Sequence, residues 1–247
     1  MIIRRSKQEI AKIADASKIV SEVIRHLQGI IESGMTTQYI ADVAKRYIVK
    51  RGGEPAFLGY HGFPGCICTS INYEVVHGIP GTKKIKEGEL LKIDVGVRFK
   101  GYCGDAASTL KIGRVSSEAE KLITVTEESL YEGIKKAVEH NRLHDISSAV
   151  QIYNEKHGFS VVRDYTGHGI GQQVHEDPPI PNFGKQGKGP RIKTGMVFCI
   201  EPMVNAGGHK TEVLPDGWTV VTEDRRLSAH FEHTIVVTDN GPVILTG

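Results

Sequence analysis

The sequence predicts an α/β chain made of two similar halves, each a pair of helices followed by antiparallel strands. Three observations predict it. A helix-capping signal opens near residue 6 and another near residue 117. The interval from Ile40 to Gly52 in the first half equals that from Ile146 to Gly158 in the second. After each helical pair the chain turns rich in β-branched and apolar residues. The chain has 247 residues and no Pro/Ser/Gly-rich linker, so one domain spanning 1–247 is expected, with duplicated units near 6–112 and 117–247.

The first helix starts at Ser6-Lys7-Gln8-Glu9, a capping box in which Ser6 caps and Glu9 reaches back. Ile10, Ile13, Val20, Val23, Ile24, Leu27 and Ile31 recur near helical spacing, and Gly34 is the expected stop. A second helix runs from about Thr37, with Ile40, Val43, Ala44 and Tyr47 on one face, to Gly52-Gly53. Strands follow. Leu90 to Phe99 (LLKIDVGVRF) turns at Lys100-Gly101 and returns through Tyr102 to Leu110, a hairpin that would face Asp94 and Asp105 to the same side.

The second half opens with Ser117-Glu118-Ala119-Glu120, read as a matching box with Ser117 as cap. Leu122, Ile123, Val125, Leu130, Ile134 and Val138 continue that helix; Ile146, Ala149, Val150 and Tyr153 mark a shorter one ending at Gly158. Met196 to Val204, Trp218 to Thr222 and Phe231 to Val237 read as strands, with turns at Gly207-Gly208 and Asp216-Gly217.

Composition excludes several classes. The 31 basic and 29 acidic residues leave a net charge of +2, too little to make nucleic acid the main substrate. Cys66, Cys68, Cys103 and Cys199 form no CxxC pair and suggest no disulfide framework, so a reducing cytoplasm is expected. The opening MIIRRSKQEI lacks the apolar run of a signal peptide, and no segment is apolar enough to span a bilayer.

Asp94, Asp105, His168, Glu201 and Glu232 carry most of the chemical information, in the phrases KIDVGV, GYCGDAAST, TGHGIG, CIEPMV and AHFEHT. Each acid taken singly could be a buried, salt-bridged carboxylate. Three acids in apolar strands with a fourth across a hairpin weaken that reading, because a buried carboxylate without a partner takes up a proton. Four carboxylates and one imidazole are instead the ligand set for two divalent cations sharing bridging oxygens. Such a pair activates water at neutral pH and points to metal-assisted hydrolysis.

The phrases SINYEVVHGIPG, KIDVGV, GDAAST, TGHGIGQQVHEDPPIPNFG, GMVFCIEPMVNAGG and GWTVVTEDRRLSAHFEHTIVVT resemble, in order and spacing, the type I methionine aminopeptidases of the short bacterial kind. The resemblance covers nearly the whole chain. It implies a pseudo-symmetric pita-bread fold, an antiparallel curved sheet covered by two helix pairs, and removal of the initiator methionine from nascent proteins. By resemblance, Asp94 chelates one metal, His168 and Glu201 the other, and Asp105 and Glu232 bridge both. Glu201 doubles as proton shuttle, His175 hydrogen-bonds the scissile carbonyl oxygen, and His77 lies near the amide of the second residue. Tyr60, Phe63, Cys68 and Trp218 would line the methionine pocket, with Phe57 and Val174 nearby and His61 on the substrate side. Phe63 and Val174 depart from the Tyr and larger aromatic often found in relatives. Cys199 and His230 also depart, and both are close enough to ligands to tune their hydrogen bonds.

Oxygen-rich ligation suits Mn²⁺ or Fe²⁺, with Co²⁺ or Zn²⁺ also able to occupy such a site. The implied partner is a nascent polypeptide N-terminus, met by a monomer with no DNA or membrane contact. Lys185 to Lys193 (KQGKGPRIK) reads as a solvated loop or, alternatively, as a patch in transient contact with ribosomal RNA. Three rivals are weighed. An Xaa-Pro aminopeptidase or prolidase normally carries an extra N-terminal domain, and here only five residues precede the first cap. A type II methionine aminopeptidase carries a long helical insertion between its His and Glu ligands, absent between His168 and Glu201. A non-catalytic binding protein on the same fold should have lost ligands, and none is missing.

Overall fold

The computed structural model describes residues 2–247. In the first half, α1 (Lys7–Gln28) and α2 (Thr37–Lys50) precede β1 (Glu54–Pro55), β2 (Cys68–Ile71), β3 (Glu74–Val76), β4 (Leu90–Phe99) and β5 (Tyr102–Lys111). In the second, α3 (Ser117–Ile134) and α4 (Leu143–Lys156) precede the short strands β6 (Ser160–Val161), β7 (Thr166–Gly169), β8 (Glu176–Pro181), β9 (Val197–Ile200) and β10 (Met203–Asn205). Then come β11 (Thr211–Val213), β12 (Val220–Thr222), β13 (Ser228–His230), β14 (His233–Thr238) and β15 (Gly241–Ile244). All strand pairs are antiparallel. The expected pseudo-symmetric architecture is present, with one helix pair laid on the strands of each half.

The caps explain where the helices begin. Ser6 accepts from Glu9 N and the Glu9 carboxylate accepts from Ser6 N, so the box at α1 is complete. At α3 the cap is Ser116, one residue before the expected Ser117, and its hydroxyl accepts from Ala119 N. The two adjacent serines are equivalent in composition; only the extended backbone at Ser116 (φ −69, ψ 157, against φ −68, ψ 160 at Ser6) picks the cap. The first helix ends at Gly29 rather than at Gly34, because Leu27 is the last residue of its buried stripe and the chain must turn to start α2. Ile31 therefore lies outside the helix and packs on the same cluster from the loop.

Ile13, Val20, Val23 and Leu27 of α1 are fully buried. Each such side chain stabilises the fold by about 1.5–3 kcal/mol relative to exposure. The helix lies directly on the β4–β5 hairpin, and Gly104 of β5 permits the approach: a Cβ there would meet Ser17 N at 2.5 Å and Ser17 Cα at 2.6 Å. The hairpin has the expected register, with Asp94 opposite Ala107 and Gly96 opposite Asp105, so the two aspartates share one face.

Two expected strands differ in the structure. Met196 to Val204 divides into β9 and β10 at Glu201-Pro202, where Pro202 has no N–H to give to a ladder. The strand expected over Phe231 to Val237 starts only at His233 (β14), and a break at Phe231-Glu232 separates it from β13. Both breaks fall at a glutamate expected to hold metal. The two halves join along β5: Glu232 N donates to Ala107 O at 3.0 Å, and the Thr234 hydroxyl accepts from Asp105 N at 3.1 Å and donates to Asp105 O at 2.7 Å.

Gly104→Ala should lower stability by about 1–3 kcal/mol through overpacking against the α1 backbone. Denaturant unfolding of the metal-free protein measures it, and an unchanged midpoint would mean that α1 can shift without cost.

Candidate active site

Each half contributes acids to one cavity of about 610 Å³. Asp94 and Asp105 come from the hairpin, His168 from β7, and Glu201 and Glu232 from the two strand breaks. His168 stands between two glycines for a steric reason. A Cβ at Gly167 would meet Cys199 O at 2.4 Å, and one at Gly169 would meet Asp177 O at 2.2 Å. Only glycine lets β7 sit between β8 and β9, which explains the phrase TGHGIG. The ladder between β7 and β8 slips between Gly167 and Gly169, re-aiming the histidine between them.

His168 Nδ1 hydrogen-bonds Gly169 O at 2.9 Å, which leaves Nε2 for the acids. Nε2 is 3.5 Å from Glu201 Oε1, 3.9 Å from Glu232 Oε1 and 4.0 Å from Asp105 Oδ2. On the far side, His230 Nε2 lies 3.5 Å from Glu201 Oε2. Backbone contacts brace Glu201 and His230: Asn182 Nδ2 donates to Glu201 O at 3.0 Å, and the Thr109 hydroxyl donates to His230 O at 2.7 Å.

Electrostatically the cluster is unbalanced. Burial pushes the Asp94 carboxyl up to about 6. Burial, and then the neighbouring carboxylates, push Asp105, Glu201 and Glu232 well above the ordinary carboxylate range. Burial holds His168 down to about 3 and His230 to about 4, so neither imidazole supplies positive charge at neutral pH. Asp94 Oδ1, Asp105 Oδ1, Glu232 Oε1 and His230 Nε2 are buried with no hydrogen-bond partner. Ligating atoms of Asp105, His168, Cys199 and Glu232 lie within 4.8 Å of one another. Orphaned buried oxygens beside a neutral imidazole fit a divalent cation, since leaving them unpaired costs about 1–3 kcal/mol each.

The same cavity receives the other residues singled out in the sequence. His77 and His175 line it, as do Tyr60, His61, Phe63, Cys68, Trp218 and Phe57. Phe63 and Trp218 meet edge-on at 5.1 Å. Val174 is not on the lining; it is buried behind it, in the cluster that holds Phe63 and Cys68. His77 adopts a left-handed backbone (φ 59), and the next residue, Gly78, is wedged so that a Cβ would meet Thr69 O at 2.1 Å. A non-glycine residue in that conformation costs of order 1–3 kcal/mol and is commonest at functional sites.

Several contributors have no role in the sequence reading. Thr166, Glu176, Asp177, Pro179 and Met203 also line the cavity from inside phrases already singled out, and Asp164 and Tyr165 line it from just before one. Arg5 pairs with Glu176, next to His175, and tethers the chain start to the cavity wall; nothing local signals a contact that distant. Lys92 sits two residues before Asp94 and is 1% exposed. Its ammonium donates to Asn72 O at 2.6 Å and Ser228 O at 3.0 Å, so it ties β13 to the first half and does not pair with the acids. A lysine inside an apolar strand is the signal that could have found it.

The match to metallopeptidase family M24 extends over residues 11–239. A methionine aminopeptidase of Clostridium perfringens is 50% identical over 246 residues, covering 100% of this chain and 99% of that one. The crystal structure of methionine aminopeptidase from Rickettsia prowazekii superposes with a TM-score of 0.99 at 42% identity, covering 100% of both chains. Prolidase from Pyrococcus furiosus shares the fold at a TM-score of 0.82, but with 22% identity, and only 65% of that longer chain is covered. Full-length similarity and a buried acid cluster that calls for cations converge: this chain belongs to metallopeptidase family M24.

Proposed function

We propose that the protein is a methionyl aminopeptidase that hydrolyses the first peptide bond of nascent proteins and releases the initiator methionine. The observation that carries this reading is the convergence of the acids, His168, both further histidines and the aromatic pocket residues on one cavity. Relatives of matching length bear the same activity in their names.

In this reading Asp94 would hold one divalent ion, His168 and Glu201 would hold a second, and Asp105 and Glu232 would be shared by both ions. When bound, they acidify a water and stabilise charge on the carbonyl oxygen. The protein's own groups do the rest. Phe63 and Trp218 offer aromatic edges on which a thioether sulfur packs well, and Tyr60 and Cys68 close the pocket. Burial holds His175 and His77 to about 4, so both are neutral at pH 7. His175 then donates an N–H to the oxygen as it gains charge. Glu201 takes a proton from the attacking water and passes it to the leaving amine. His77 faces the second residue of the substrate. Manganese or iron suits the oxygen-rich donors, and cobalt or zinc is also compatible.

A cytoplasmic location is supported by four buried free cysteines, and no helix among the described residues is long and apolar enough to cross a membrane. A monomer that meets the ribosome transiently through Lys185–Lys193 completes the proposal; that segment is largely exposed.

Two outcomes are expected. Adding Mn²⁺ to metal-stripped protein at 100 times its dissociation constant should stabilise it by about 2.7 kcal/mol. A thermal melt reads this, and Asp105→Ala should lose the shift. A metal-insensitive melt in the parent chain would remove the metal centre from the proposal.

The restored protein should release Met from Met-Ala-Ser and leave acetyl-Met-Ala-Ser intact, because the site must recognise a free amine. Glu201→Ala should abolish turnover. His77→Ala should slow it to a degree that varies with the second residue. Rapid turnover of the acetylated peptide, followed by chromatography, would contradict the aminopeptidase assignment.

A further inference from the structure

Tyr60 belongs to the pocket wall, yet its hydroxyl points at a different task. Tyr60 Oη lies 3.0 Å from His175 Nδ1. The two rings are 5.1 Å apart at an interplanar angle of 57°. On its other side the His175 ring meets His168 edge-on at 4.3 Å. His175 is therefore held between a phenol and an imidazole. Among the described residues, the Tyr60 hydroxyl has no other hydrogen-bond partner.

The backbone keeps Tyr60 in place. It opens the turn Tyr60–Gly62, in which Gly59 (φ 80), His61 (φ 49) and Gly62 (φ 89) are all left-handed. Gly59 N donates to Phe63 O at 2.8 Å and Phe63 N donates to Tyr60 O at 2.9 Å, closing the loop on itself. A strained non-glycine residue persists only where the surroundings over-determine it. The turn thus holds the phenol against the histidine with little freedom.

A neutral imidazole carries one N–H, and the partner of one nitrogen decides which nitrogen has it. If Nδ1–H donated to the phenol oxygen, Nε2 would present a lone pair to the cavity. A lone pair there repels a developing oxyanion. If the phenol O–H donates to Nδ1, the proton sits on Nε2, where it can meet that oxyanion.

We propose that Tyr60 is a positioning residue: its O–H donates to His175 Nδ1, fixing the imidazole as the Nε2–H tautomer and holding that N–H for the scissile carbonyl oxygen. This rests on the reading of His175 as the oxyanion donor.

Tyr60→Phe keeps the ring in the pocket and removes only the hydroxyl. With Met-Ala-Ser, kcat should fall roughly 10- to 100-fold, as for loss of a partner that orients a histidine. KM should stay within about twofold, because the donor acts in the transition state. In a His175→Ala background, Tyr60→Phe should cause no further loss, since the two act as one unit. Side-chain ¹⁵N spectra of the Zn²⁺-loaded protein should show His175 protonated at Nε2 in the parent chain. That assignment should weaken in Tyr60→Phe.

An unchanged kcat with a raised KM would leave Tyr60 as pocket wall alone and overturn the proposal. So would an equal loss in both backgrounds, or a parent spectrum with the proton on Nδ1. Parent-like turnover by His175→Ala is a separate result: it would remove His175 as the oxyanion donor and the proposal with it.

Discussion

Four carboxylates pressed together against the buried wall of one cavity cannot all be ionised unless positive charge joins them. Unit charges a few ångströms apart in a medium of low dielectric repel far more strongly than in water. Among the described residues, no lysine or arginine forms an ion pair with these acids. His168 and His230 are held neutral by burial. Lys92, the nearest buried cation in sequence, directs its ammonium to the carbonyls of Asn72 and Ser228. The cluster is thus a cation site by subtraction as well as by donor chemistry, and the strands around it are arranged to make that imbalance tolerable until metal arrives.

The two halves of the fold carry unequal shares of that arrangement. The first contributes a long, regular hairpin that fixes Asp94 and Asp105 on one face. The second contributes its acids where strands break, at Glu201-Pro202 and at Phe231-Glu232. A residue at a break is free of the strict alternation of a ladder and can aim its carboxylate into the seam between sheets. The Thr234 hydroxyl, bonded both to the N–H and to the carbonyl of Asp105, locks that seam beside Asp105 and Glu232. Glycines at 167, 169 and 104 set how closely the layers approach. Chemistry and architecture are joined at those contacts.

What the sequence made legible were features written locally. The Ser6 box, the Lys100-Gly101 turn and the ligand phrases each depend on a few adjacent residues, and the structure places the helix start, the hairpin register and the common cavity accordingly. Where reading and structure part, the deciding contact is remote or conformational. Ser116 rather than Ser117 caps α3 because of backbone angles. Val174 is buried in the cluster that holds Phe63 and Cys68 and does not reach the cavity lining. The Arg5–Glu176 pair and the Lys92 tie join residues distant in the chain, and periodicity carries no record of them. The Tyr60–His175 contact is of the same kind, two residues singled out separately whose meeting only the fold reveals.

The proposed dinuclear centre is tested most directly by anomalous diffraction from a crystal soaked in Mn²⁺. Two peaks are expected inside the cavity, one beside Asp94 and the other beside His168 and Glu201, both touching Asp105 and Glu232. A peak outside the cluster, or a single ion at saturating Mn²⁺, would contradict a pair of cations as the answer to the four buried acids.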